Sequence, residues 1–183
     1  AYDLVGRDLF AGITGGTNNA SLPNFGIWDA FLQWRLRQDS EAFYLTGGYF
    51  RPQLGRESIT SGWSVNSMEK SMSQFYLRRH LTGTGPGRTV GLNIGGLAEL
   101  GEQLQLNYNA GVFTPQYLSL SGNSLGGVFS PLFVGRIVLN IGDPELQRYK
   151  IAYDINYYGE RRGLALGLGG SWQGETDLFQ RSY

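Results

Sequence analysis

Eight basic residues are the side chains of this sequence best placed to do chemistry together: Arg35, Arg51, Arg136 and Lys150 in segments of alternating polarity, and Arg56, Lys70, Arg78 and Arg79 in the long stretch from Gln53 to Gly87. Asp8, Asp29 and Asp154 oppose the first group, and Glu57 and Glu69 oppose the second. Basic groups along a confined passage lower the electrostatic cost of an anion entering it, and rings of Arg or Lys line anion and phosphate pores. The plain alternative is that each arginine pairs with an aspartate on a neighbouring strand and leaves a neutral wall. Dedicated phosphate selection needs a tight cluster of basic side chains facing one point. The spacing gives no such cluster, so general diffusion or a mild anion preference is the expectation.

Other constellations are weaker. His80 is the only histidine, and with Ser71 or Ser73 it would have to supply the nucleophile and base of a hydrolase, at helical spacing that makes their contact awkward. One histidine without cysteine partners does not make up a usual metal ligand set. "GTGPG" is followed by arginine and a strand instead of lysine and a helix, so it reads as a turn and not a phosphate cradle. Asp143 and Glu145 in "GDPE" are two carboxylates, too few for calcium, and Asp-Pro is ordinary turn chemistry. No reaction, cofactor or metal is expected.

The elements that position the basic residues are strands. In "QLQLNYNAGV", residues 103–112, Gln103, Gln105, Asn107 and Asn109 share one parity and Leu104, Leu106, Tyr108, Ala110 and Val112 the other. A β-ribbon with this sequence has one polar and one apolar side. The same alternation runs through "DLFAGITGG", "FGIWDAFLQWRL", "AFYLTGGYFRP", "RTVGLNIGGLAEL", "PLFVGRIVLNI", "YKIAYDINYY" and "GLALGLGGSWQ", which predicts about eight strands. On their polar parity lie Arg35, Arg51, Arg136 and Lys150. Arg88 has the parity of Val90 and Leu92 and is expected to snorkel at an outer rim.

Composition suits this reading. The 183 residues include 28 glycines, 11 tyrosines, 10 phenylalanines and 4 tryptophans, a mixture for an all-β protein and not for disorder. Fifteen basic residues balance 15 acidic ones, so no basic surplus points to nucleic acid. The sequence contains no cysteine and no apolar run of the roughly 20 residues that a membrane-crossing helix needs. The first residues lack signal-peptide features, which gives the chain the look of a mature or cropped segment.

Alternation sustained for about 10 residues matches a tilted membrane-crossing strand better than a soluble one. Trp28, Tyr49, Tyr108, Tyr149, Tyr157 and Trp172 fall toward the ends of apolar faces, as in an aromatic girdle. "RQDSE", "LGE" and "GDPELQR" read as brief turns. "TNNASLPN", residues 53–87 and "TPQYLSLSGNSLGGVFS" read as long connections, and "GERR" as a short one at the same end. Short turns at one end and long loops at the other is the up-and-down membrane-barrel plan. Residues 53–87 exceed an ordinary connector. Within them "SMEKSMSQFYLRRHL" is predicted to form a short helix capped by Ser67 or Asn66, with Met68, Met72 and Phe75 on one side.

In order, "GGYFRPQLGRES", "MEKSM", "GRTVGL", "YNAGVFTP", "PLFVGRIVLNIGDPE" and "YYGERRGLALGLGGSWQG" resemble the phosphate-selective porin O and P family of Gram-negative outer membranes. Arg51 matches the basic residue in that family's glycine-aromatic-basic-proline stretch. The resemblance implies a sixteen-stranded transmembrane β-barrel, usually a homotrimer, with basic residues along the pore and an inward-folded third loop. The chain would then be a single barrel segment, 1–183, holding about half of the strands, with 53–87 folded into the pore. The implied function is passive diffusion of small hydrophilic solutes and ions, anions or phosphate among them, across the bacterial outer membrane. Two alternatives stay open: a soluble β-sandwich that binds carbohydrate on exposed Trp and Tyr, and an outer-membrane lipid hydrolase dependent on His80.

Overall fold

The computed structural model describes residues 9–18, 24–60, 72, 74, 81, 87–114, 130–153 and 161–174. It is all-β. Seven strands, β1 (Leu9–Asn18), β2 (Asn24–Arg35), β3 (Tyr44–Phe50), β4 (Thr89–Gly101), β5 (Leu104–Thr114), β6 (Leu132–Gly142) and β7 (Gly163–Gln173), form one sheet in sequence order. Every neighbouring pair is antiparallel. Among the described residues the helical parts are α1 (Arg56–Ile59) and the positions of Met72, Gln74 and Leu81, the last three within the predicted 67–81 helix. Met72 is exposed there.

The alternation read from the sequence separates two chemically different faces. On one face Leu32, Val90, Leu92, Ile94, Phe133, Ile137, Ile141, Leu164, Leu166 and Trp172 are all exposed. Register joins them across strands: Leu92 is opposite Val112, Val112 opposite Phe133, and Phe133 opposite Trp172. From β2 to β6 the other face is mostly buried and largely polar, whereas β7 is exposed along most of both sides. Gln33 stands opposite Thr46, Thr46 opposite Asn93, and Asn109 opposite Arg136. Six of the strands are 10 to 13 residues long, and β3 has 7.

At the end where β3 leads into the long connection, the buried face turns apolar. Phe50 meets Phe113 edge-on at 5.4 Å between ring centres and Phe31 at 6.3 Å. Leu132 and Ile59 of α1 join this cluster. Aromatic pairs in such edge-on geometry add to area burial because the ring edge is positive and the face negative.

Three sequence expectations are corrected. Residues 149–158 were expected to be a strand reached through a brief turn at 142–148, with Tyr149, Ile151 and Tyr153 on the apolar side. Instead Gly142 pairs directly with Gly163. Backbone contact between Asp143 and Arg162 closes the neck beyond them: the Asp143 N–H donates to the Arg162 carbonyl at 2.9 Å, and the Arg162 N–H to Asp143 Oδ2 at 2.8 Å. Residues 143–153 leave the sheet as a strap over its polar face, on which Tyr149, Ile151 and Tyr153 are buried and Lys150 and Ala152 exposed. Its alternation is genuine, but the aromatic residues face the polar side of the sheet. The "TNNASLPN" connection is also shorter than expected, because pairing continues to Asn18 and Asn24. Arg88, expected at an outer rim, is buried and gives Nε and Nη2 to the two oxygens of Asp29, each at 3.0 Å.

Gly48 sits at φ 140°, and a Cβ there would come within 2.6 Å of Phe31 Cα on the paired strand. Gly48→Ala is therefore expected to destabilise the sheet by more than about 1 kcal/mol, read as a lower urea midpoint of the refolded protein.

Candidate functional site

The polar face and the strap meet at three points. Tyr149 lies over β4 and β5, where its hydroxyl donates to Asn109 Oδ1 at 2.5 Å and accepts from Asn93 Nδ2 at 3.0 Å. Asn109 Nδ2 in turn donates to Asn107 Oδ1 at 3.1 Å. The Tyr149 ring packs 5.0 Å from that of Tyr44. Beneath it is Gly95, where a Cβ would stand 2.7 Å from Tyr149 Cζ, so only glycine leaves room for the phenol. Burial pushes the Tyr149 hydroxyl up from its ordinary pKa, which keeps it protonated and able to donate.

The Tyr149 N–H donates to Glu41 Oε2 at 3.0 Å. That carboxylate also accepts from the Tyr44 hydroxyl at 2.7 Å, and its other oxygen from Arg35 Nη1 at 3.3 Å. Glu41, in the turn between β2 and β3, thus ties one end of the strap to the sheet and pairs with Arg35.

At the second point two guanidinium groups lie close to the Tyr153 ring. Arg56 Cζ is 4.7 Å and Arg136 Cζ 5.1 Å from its ring centre. The Tyr153 hydroxyl accepts from Arg136 Nη1 at 3.2 Å, and its backbone N–H donates to the Ile59 carbonyl at 3.0 Å. Arg136 is only 5% exposed, and among the described residues no carboxylate pairs with it. The electron-rich face of the tyrosine ring takes the part of a counter-ion, an attraction that grows when the cation is removed from water.

The third point is Glu145, buried at the base of the strap, which accepts from Arg56 Nη1 at 2.6 Å and has Arg161 Nη1 at 3.8 Å. Arg161 Nη2 reaches Asn140 Oδ1 of the wall at 3.3 Å, and its Nε donates to the Asp143 carbonyl. Burial lowers the pKa of Arg56 and the Glu145 charge opposes the shift.

Of the eight predicted site residues, Lys70, Arg78 and Arg79 lie outside the described residues, as do Asp8, Glu69, His80 and Asp154. The other five are dispersed. Arg56 and Arg136 converge on Tyr153, while Arg35 is held at Glu41. Arg51 gives Nη1 to the carbonyls of Ser58 at 2.8 Å and Thr60 at 3.0 Å, and so fastens α1 against the end of β3. Lys150 is exposed on the side of the strap away from the wall. Sequence reasoning missed Glu41, Tyr149, Tyr153 and Glu145 as the residues that organise this site. The alternating tyrosines of "YKIAY" carried a signal, but it was assigned to the lipid side.

Comparison with protein-family models, with curated proteins and with solved structures gave no match in any of the three.

Tyr149→Phe removes both hydrogen bonds of the buried hydroxyl, the one it donates to Asn109 Oδ1 and the one it accepts from Asn93 Nδ2, and leaves Asn109 Oδ1 with Asn93 Nδ2 as its donor at 3.2 Å. It is expected to lower stability by about 1 to 3 kcal/mol in urea unfolding, whereas Lys150→Gln at the exposed position should stay within about 0.5 kcal/mol.

Proposed function

We propose that the chain forms about half the wall of an outer-membrane β-barrel through which small hydrophilic solutes and ions diffuse passively, with a mild preference for anions. The observation that carries this reading is the sidedness of the sheet: its leucine, isoleucine and aromatic face is exposed, and its asparagine and arginine face is buried. A soluble sandwich buries the apolar side of each sheet, and an exposed apolar surface this continuous calls for a covering phase. Hydrocarbon chains are that phase in a membrane barrel, whose strands alternate apolar outward and polar inward.

The interior supports the same reading. Asn93 Oδ1, Gln105 Oε1 and Asn107 Nδ2 are buried and make no hydrogen bond among the described residues. Unpaired amide atoms are costly in a dry core, and water held between the wall and the strap can meet them without opening them to the lumen. Strand direction adds a constraint. In a seven-stranded meander β1 and β7 run the same way, so antiparallel closure needs an odd number of further strands, in keeping with the even total of bacterial barrels. A porin of this plan performs no reaction and needs no cofactor. Its partners are outer-membrane lipid, the ions in transit and, by the resemblance noted above, two further copies in a trimer.

Ile94 is 49% exposed near the centre of β4. Ile94→Arg places a charge at mid-bilayer and is expected to cost about 2 to 4 kcal/mol of folding into lipid. The protein itself should require detergent for release from the outer-membrane fraction and should conduct ions in a planar bilayer. Release by salt or alkali alone, together with a silent bilayer, would contradict the proposal.

A further inference from the structure

We infer that the strap, residues 143–153, and not the strand wall behind it, is the surface a solute meets on this side of the passage, so that the lining charge comes from Lys150 and Arg148 and not from Arg136. The inference rests on the reading of the sheet as a barrel wall and goes beyond it in naming the lining residues.

Four observations converge on it. The strap is not needed to join its flanking strands, since Gly142 and Gly163 are paired and Asp143 and Arg162 close the neck. It is fastened to the wall at separate places, by Tyr149 on Asn93 and Asn109, Tyr153 on Arg136, and Arg161 between Glu145 and Asn140. The wall is shaped to receive it: a side chain at Gly95 would collide with the Tyr149 ring. Finally, the amides of the wall behind the strap are hidden. Asn93, Asn107 and Asn140 are each 1% exposed, whereas Gln147, Arg148, Lys150 and Ala152 are exposed on the strap.

A side chain with no access to water cannot exchange hydration with a passing ion. Removing wall positions from the lining and adding a layer of chain in front of them makes the passage narrower. It also replaces a buried guanidinium, already engaged with a tyrosine ring, by a lysine and an arginine in contact with water. The strap therefore acts as a fixed constriction whose position depends on Tyr149 and Tyr153.

The absence of cysteine allows a direct test with single-cysteine variants of the full chain, folded in detergent and treated with a charged, membrane-impermeant thiol reagent. Lys150→Cys is expected to react at least about tenfold faster than Asn109→Cys, since only an accessible thiol is attacked. Adding Tyr149→Ala to Asn109→Cys should raise its rate toward that of Lys150→Cys. Asn107→Cys serves as a second wall reporter that leaves both hydrogen bonds of the Tyr149 hydroxyl in place. Equal rates at Lys150→Cys and at both wall positions, with Tyr149 intact, would overturn the strap.

Conductance then separates the inference from the reading beneath it. Modification of Lys150→Cys in a planar bilayer should reduce the current. A current that modification leaves unchanged would overturn the assignment of the lining. Unequal rates in a folded protein that carries no current would overturn the passage, while the packing of the strap would stand.

Discussion

Side-chain parity, held across the sheet from β2 to β7, is the constraint on which the structure depends. A one-residue slip anywhere would carry a strand's leucines to the asparagine side and its asparagines to the exposed side. The ladders depart from regular pairing between Thr14 and Gly15 and between Glu99 and Gly101, and on both sides of each irregularity the pairing resumes. The second lies next to the tight β4–β5 turn, where an extra residue is absorbed without disturbing the Leu92, Ile94 and Asn93 positions. The long strands make parity matter more, because each extends both faces over 10 residues or more in six of the seven cases.

Parity also sets the terms for everything on the buried side. A row of amides removed from bulk solvent has to be met by groups that can both donate and accept. Tyrosine does this while bringing a large apolar ring, which is why Tyr149 can bridge Asn93 and Asn109 and still stack on Tyr44. The arginines follow the same logic. Arg136 is buried against Tyr153, Arg35 and Arg56 each meet a glutamate, and Arg51 is spent on backbone carbonyls. Charge on the wall is thus largely committed to holding the strap and α1. Lys150 and Arg148 lie on the exposed side of the strap.

Much of the sheet was legible in the sequence. "QLQLNYNAGV" alternates without a break and forms β5, and the other six strands follow from the same period within a few residues. The strap was not legible, for a physical reason. Alternation says that Tyr149, Ile151 and Tyr153 share a side, but not which surface that side meets, and tyrosine fits a lipid interface and an amide-lined wall equally well. The pairing of Gly142 with Gly163 over a long excursion is a non-local contact with no local turn signature. The basic residues of the site were recognised by type, whereas their partners Glu41 and Glu145 sit in segments that read as ordinary turns. Their roles depend on what folds back over them.

Contact between hydrocarbon and the apolar face is the central claim, and tryptophan fluorescence tests it most directly. Trp172 is 63% exposed on that face beside Phe133, their rings 5.7 Å apart. A variant retaining Trp172 as its one tryptophan, refolded into vesicles, should be quenched strongly by phospholipids brominated along the acyl chain and weakly by aqueous iodide. Efficient quenching by iodide, with no response to the brominated lipid, would place that face in water and contradict the account.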